Sequence, residues 1–114
     1  MSRHDPAARL RHMLEHAKEA VAMVRGKTRL DLDRDRQLNL ALVRLLEIVG
    51  EAATRIPEQE RPSHPSIPWA QIVSLRNRLI HGYDAVDFEV LWQILNHDLP
   101  LLIEALEKLV PPAP

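Results

Sequence analysis

Residues 38–52 read LNLALVRLLEIVGEA, and the reading of this stretch decides the fold. Leu38, Ala41, Leu42, Leu45, Val49 and Ala52 recur at helical spacing as one apolar face. Leu40, Val43, Leu46 and Ile48 widen that face well past what a single core contact requires. A helix apolar on more than one side is either central in its domain or shared with another subunit. Gly50 costs such a helix about 1 kcal/mol relative to alanine, so it marks a close approach of another backbone or of a ligand. The helix is predicted from about Asp33 to Arg55.

Upstream, Asp5 before Pro6 reads as an N-cap with proline in the first turn, and Leu10, Met13, Leu14, Ala17, Val21 and Val24 follow as one stripe. Gly26 is the expected stop. The charge-dense stretch Arg25 to Gln37 reads as a solvated loop. Downstream, Pro57, Pro62, Pro65 and Pro68 forbid a long helix and make a connector, with one turn at Glu58 to Arg61. A third helix is predicted from about Pro68 to His81, with Gly82 as its left-handed C-terminal residue. Asp87 caps a fourth, striped by Phe88, Leu91, Trp92, Leu95, Leu99, Leu102, Leu106 and Leu109. Pro100 removes one of its backbone hydrogen bonds, so a kink near His97 is expected within one helix. The expected architecture is all-α: an up-and-down four-helix bundle with a Pro-rich connector before the third helix, residues 1–114 forming one domain and 111–114 an extended tail.

Composition narrows the functional classes. Aromatics make up 4% of the 114 residues, which counts against modules that stack successive bases on exposed rings. The net charge of -1 excludes a protein that clings to any polyanion, but the charge is unevenly placed. Residues 1–30 hold seven Arg or Lys against three acids, and residues 86–114 one Lys against five acids. This polarity steers an anionic partner or draws the two ends together. Cysteine is absent, so thiol chemistry is excluded. The N-terminal residues show no apolar signal core and no run approaches a membrane span, so a cytoplasmic protein is expected.

The chemistry concentrates in Arg76-Asn77-Arg78-Leu79-Ile80-His81-Gly82-Tyr83. An arginine fork holds two phosphate oxygens at once, and an imidazole exchanges a proton near neutrality. On one ideal helix Asn77 and His81 share a face, whereas Arg76 and His81 differ by about 140° around the axis. Convergence then needs the reach of Arg76, the turn at Gly82 and a second copy of the helix across a two-fold axis. On spacing alone, a histidine near a helix C-terminus and an arginine one turn back are also ordinary structural residues. A different reading starts from His12 and His16, whose i, i+4 spacing suits a shared metal; no third ligand is evident, so neither metal nor cofactor is expected.

The segment Arg76 to Tyr83 resembles the signature of the HEPN superfamily, and specifically its HepT-like branch. Arg44 to Ala52, Ile67-Pro68-Trp69, and Trp92 followed by Leu99-Pro100 resemble further blocks of that branch, so the resemblance covers nearly the whole chain. It implies a metal-independent endoribonuclease, the toxin of a toxin–antitoxin pair, acting as a homodimer on RNA. Arg76 and His81 would be catalytic and Asn77 and Tyr83 supporting. It further implies that a minimal nucleotidyltransferase antitoxin adenylylates Tyr83. Asp84 departs from the apolar or aromatic residue expected after the tyrosine. The alternative on the same fold is a non-catalytic dimeric helical module that binds nucleotide or a nucleotidyltransferase partner.

Overall fold

The computed structural model describes residues 5–82 and 85–111, and its regular structure is helical. Helix α1 runs Pro6–Val24. The Asp5 carboxylate accepts the Ala7 N–H at 3.0 Å, Leu10, Met13, Ala17, Ala20 and Val24 are buried, and Gly26 turns the chain away at a φ of +79°. The predicted stripe and both of its stops are therefore present.

The stretch expected to be a solvated loop instead contains a short helix, α2, Arg29–Arg34. Its start is fixed by a capping box, in which Asp31 accepts both the Thr28 N–H, at 2.6 Å, and the Thr28 hydroxyl, at 3.1 Å. Leu32 is fully buried, and its carbonyl accepts the amide of the buried Asn39 at 2.8 Å, which ties α2 to the next helix.

Helix α3, Arg36–Thr54, begins three residues later than predicted because the Asp35 carboxylate takes the Leu38 N–H at 3.0 Å and caps it there. It packs against α1 and α2 and against two short helices described next, so its broad apolar surface belongs to a central helix. Gly50 marks the closest approach. A Cβ placed there would stand 3.2 Å from the Ile72 carbonyl oxygen.

The connector makes the expected turn, with the Arg61 N–H donating to the Glu58 carbonyl at 3.3 Å, and continues as a 3-10 turn over Arg61–Ser63. The predicted third helix is broken and shorter. It consists of α4, Trp69–Val73, and α5, Leu75–Leu79, joined at Ser74. It ends two residues before His81, with Ile80 extended, so Gly82 is not its left-handed cap.

The fourth helical rod comprises α6, Phe88–Gln93, a π-helical turn over Ile94–Asp98, and α7, Leu99–Leu109. Asp87 caps it as expected, accepting the Val90 N–H at 3.1 Å. The disturbance expected ahead of Pro100 takes the form of the π turn, whose last bond runs from the Leu99 N–H to the Ile94 carbonyl. Helix α7 packs against α1, and α6 against α2 and α5, which closes a bundle around one aliphatic core. Among the described residues no helix is long and apolar enough to cross a membrane.

Candidate active site

The connector holds the start of the motif segment in place. The Trp69 indole N–H lies 3.0 Å from the Arg61 carbonyl and 3.1 Å from that of His64, and the Arg61 guanidinium lies 5.8 Å from the Trp69 ring centroid. Helix α5 is then anchored by Leu75 and Leu79, both with no exposed surface. The short helix consequently presents Arg76 and Asn77 to solvent.

The two arginines of the motif have different surroundings. Arg76 keeps 66% of its side chain exposed, and its Nε stands 3.6 Å from Glu47 Oε2 on α3, a loose pair. Arg78 points toward the π turn, where its Nη2 donates to Asp98 Oδ2 at 3.0 Å. Arg78 Nη1 is buried and has no hydrogen-bond partner among the described residues. Arg76 is thus available to an incoming anion, and Arg78 is committed to packing.

His81 does not lie on the helix. After Leu79 the chain becomes extended and forms an isolated antiparallel bridge between Ile80 and Val86. The His81 N–H donates to the Ala85 carbonyl at 2.8 Å and the Asp87 N–H to the Leu79 carbonyl at 2.9 Å, which makes a short stem. Asn77 and His81 therefore do not share a helix face, and the 140° separation of Arg76 and His81 on an ideal helix no longer applies. Gly82 follows with a φ of +153°, an extended conformation on the positive side that favours glycine. Tyr83 and Asp84 lie outside the described residues.

Asp87 serves both the helix and the histidine. While Oδ1 caps α6, Oδ2 stands 3.5 Å from His81 Nε2. The Val90 N–H holds this carboxyl below its ordinary range; burial opposes the shift, and the Glu89 N–H and His81 reinforce it. The sequence marks Asp87 only as a cap, because its contact with His81 exists only once the chain has left the helix.

The His12 and His16 rings are 6.3 Å apart and edge-on, and the His16 Nδ1–H donates to the His12 carbonyl at 2.6 Å. Among the described residues no three His, Cys, Asp or Glu side chains cluster as a metal would need.

A model of the family described as ribonuclease HepT-like matches residues 13–109, from Met13 in α1 to the end of α7. The chain belongs to the HepT-like ribonuclease family. The chain is 39% identical over 100 residues to "Probable ribonuclease HepT" of Thermococcus cleftensis, covering 84% of this chain and 91% of that one. Two further relatives have names that include the word RNase. One, from Methanocaldococcus jannaschii, is 34% identical over 94% of this chain and 98% of its own length. The other, from Caldanaerobacter subterraneus subsp. tengcongensis, is 31% identical over 92% and 94%. No solved structure matches significantly. The HepT-like match includes α5, the stem and Asp87 in full.

Proposed function

We propose that the chain is an endoribonuclease that cleaves RNA without a metal ion, using Arg76 and His81. The observation that supports this reading is that the HepT-like family match runs through an exposed guanidinium and an exposed imidazole five residues apart, each beside a carboxylate. RNA carries its own nucleophile, the 2′-hydroxyl, so the protein needs only proton transfer and charge stabilisation. His81 takes the 2′-hydroxyl proton or protonates the leaving 5′-oxygen. Arg76 stabilises the phosphate as it becomes five-coordinate, leaving Glu47 to do so. The products are a 2′,3′-cyclic phosphate and a 5′-hydroxyl. Asp87 is a positioning residue that fixes the His81 ring. A positioned acid–base group contributes about 10²–10⁴-fold and a preorganised charge donor about 10²–10³-fold.

The test is incubation of RNA in chelator with the wild type, His81→Ala and Arg76→Ala. Cleavage by the wild type alone supports the assignment, and equal cleavage by all three, or by none, removes it. A non-catalytic dimeric module is the second reading. It is favoured by the Glu47 and Asp87 carboxylates, which stand beside the two groups and compete with a phosphate for them, and inertness of the wild type in the same assay would support it.

The regulatory part of the proposal is that the protein is the toxin of a toxin–antitoxin pair, acting as a homodimer, and that a nucleotidyltransferase antitoxin adenylylates Tyr83. Phosphate and a bulky base two residues from His81 would block the site by charge and volume together. Co-expression with such a partner should add one adenylyl mass per chain, and Tyr83→Phe should abolish both the added mass and neutralisation. A Tyr83→Phe variant that is still neutralised would point to occlusion instead.

A further inference from the structure

A groove of about 290 Å³ between α1 and α3 is lined by Arg9, His12, Arg44, Ile48, Glu51 and Arg55. Three arginines and one acidic residue line it, in a chain whose net charge is -1. Arg55 donates to Glu51 Oε1 from Nε at 3.2 Å and Nη2 at 3.1 Å, which neutralises that carboxylate and holds the fork along the helix. Arg44 is exposed, and among the described residues no carboxylate pairs with it.

The groove also lies beside the candidate active site. At about 100° per residue, Arg44, Glu47, Ile48, Glu51 and Arg55 fall within an arc of about 100° on α3, one face. Glu47 is the partner of Arg76, so Arg76 and the groove are on the same side of the central helix. From Arg44 to Arg55 that face extends about 16 Å at 1.5 Å per residue, the length of a few nucleotides. The groove has guanidinium forks for phosphates but, apart from the His12 ring, no aromatic surface on which bases could stack.

From this we infer that the groove binds the phosphate backbone of the RNA strand that flanks the phosphate held by Arg76, without reading its bases. The inference rests on the proposed ribonuclease reading and adds a substrate path to it. The strand would lie along α3, with Arg44 and Arg55 each holding a phosphate on either side of the level of Glu47 and Arg76.

The experiment measures binding of a short fluorescent single-stranded RNA to the His81→Ala protein by anisotropy across a salt series. The groove variant adds Arg44→Gln and Arg55→Gln. A control adds Lys27→Gln and Arg34→Gln, an equal change of charge beyond the far end of α1. Each single-strand phosphate contact contributes about 0.7 to the slope of log affinity against log salt, so the groove variant should lose about 1.4 of that slope. This corresponds to about 25-fold weaker binding at 0.1 M salt, converging with the parent near 1 M. The control should bind like its parent. Unchanged affinity and slope in the groove variant, or an equal loss in the control, would overturn the inference. Because the measurement uses a protein that lacks His81, an inert wild type in the cleavage assay would refute the nuclease reading while this result stood separately.

Discussion

Arg78 and Arg76 are two residues apart, yet the structure gives them different partners, and a double-mutant cycle on the Arg78–Asp98 pair tests the proposed division of roles. At 3.0 Å and an effective dielectric near 20, two unit charges attract by about 5 kcal/mol. Most of this is offset by desolvation, since the side chains keep only 34% and 20% of their surface, and Arg78 Nη1 is buried with no partner among the described residues. The pair therefore falls between exposed pairs, at about 1 kcal/mol or less, and fully buried ones, and a net coupling of about 1–2 kcal/mol is expected. Arg78→Met keeps the stem and removes the charge, leaving Asp98 half-buried and alone, at a cost of about 2 kcal/mol. With about 2.1 cal/mol/K per residue over 114 residues, 1 kcal/mol moves Tm by about 4 °C, so the single variant should melt about 8 °C lower. Urea denaturation of Arg78→Met, Asp98→Asn and the double variant gives the coupling directly. RNA cleavage well below the melting range should remain near wild type in Arg78→Met and be lost in Arg76→Ala. A coupling under about 0.3 kcal/mol would make the pair an ordinary surface contact. Loss of cleavage by Arg78→Met without a lower Tm would transfer the phosphate role to Arg78 and refute the reasoning.

Other outcomes follow from the same geometry. Asp87→Ser keeps a cap for Val90 but is too short to reach His81, so cleavage should fall about tenfold with little change in Tm, well short of the about 10⁴-fold loss from a buried triad carboxylate; unaltered cleavage would remove Asp87 from the positioning role. Asp87 and Asp31 both titrate below the 3.8 of an unperturbed aspartate, so between the folded and unfolded values the unfolded chain binds more protons. Their stabilisation is full above about pH 5 and is lost as pH falls below 4, and the acid limb of urea midpoints should be shallower in Asp87→Ser. At Gly50, an alanine Cβ would meet the Ile72 carbonyl at 3.2 Å, and the shift this requires is offset by about 1 kcal/mol of helix propensity, so Tm should stay within a few degrees. Gly50→Val pushes further methyls into α4 and should cost about 1–3 kcal/mol, and a wild-type Tm would show that the approach is not tight.

What could be read from the sequence was local or strongly periodic. Asp5-Pro6 and Gly26 bound α1 because caps and a positive φ are chosen by single residues. The width of the apolar face on residues 38–52 foretold the central position of α3, and Gly50 its close neighbour. The short α2 was missed because Arg29–Arg34 has only Leu30 and Leu32 to show periodicity; the signal available was Thr28 followed three residues later by Asp31. The end of α5 before His81 has no proline or glycine to announce it. It arises from the bridge of Ile80 to Val86, a pairing that no local pattern in the sequence announces. The separation of Arg76 from Arg78 likewise depends on Asp98, twenty residues further on. Within the candidate site the residue types were legible, whereas the partners that sort them into reactive and structural were not.

The π turn at Ile94–Asp98 has the form left by insertion of a single residue into an α-helix. The wide turn takes up that extra residue, so α6 and α7 keep their apolar faces in register across it, and a deletion confined to the turn would close the rod into ordinary α-helix. Leu99, Leu102 and Leu106, all fully buried, would stay in the core, but the Pro100 ring would be driven against the carbonyl one turn earlier. Homologous chains that share this core can accordingly lose one residue between Asp87 and Leu99 where they also lack a proline at the position of Pro100.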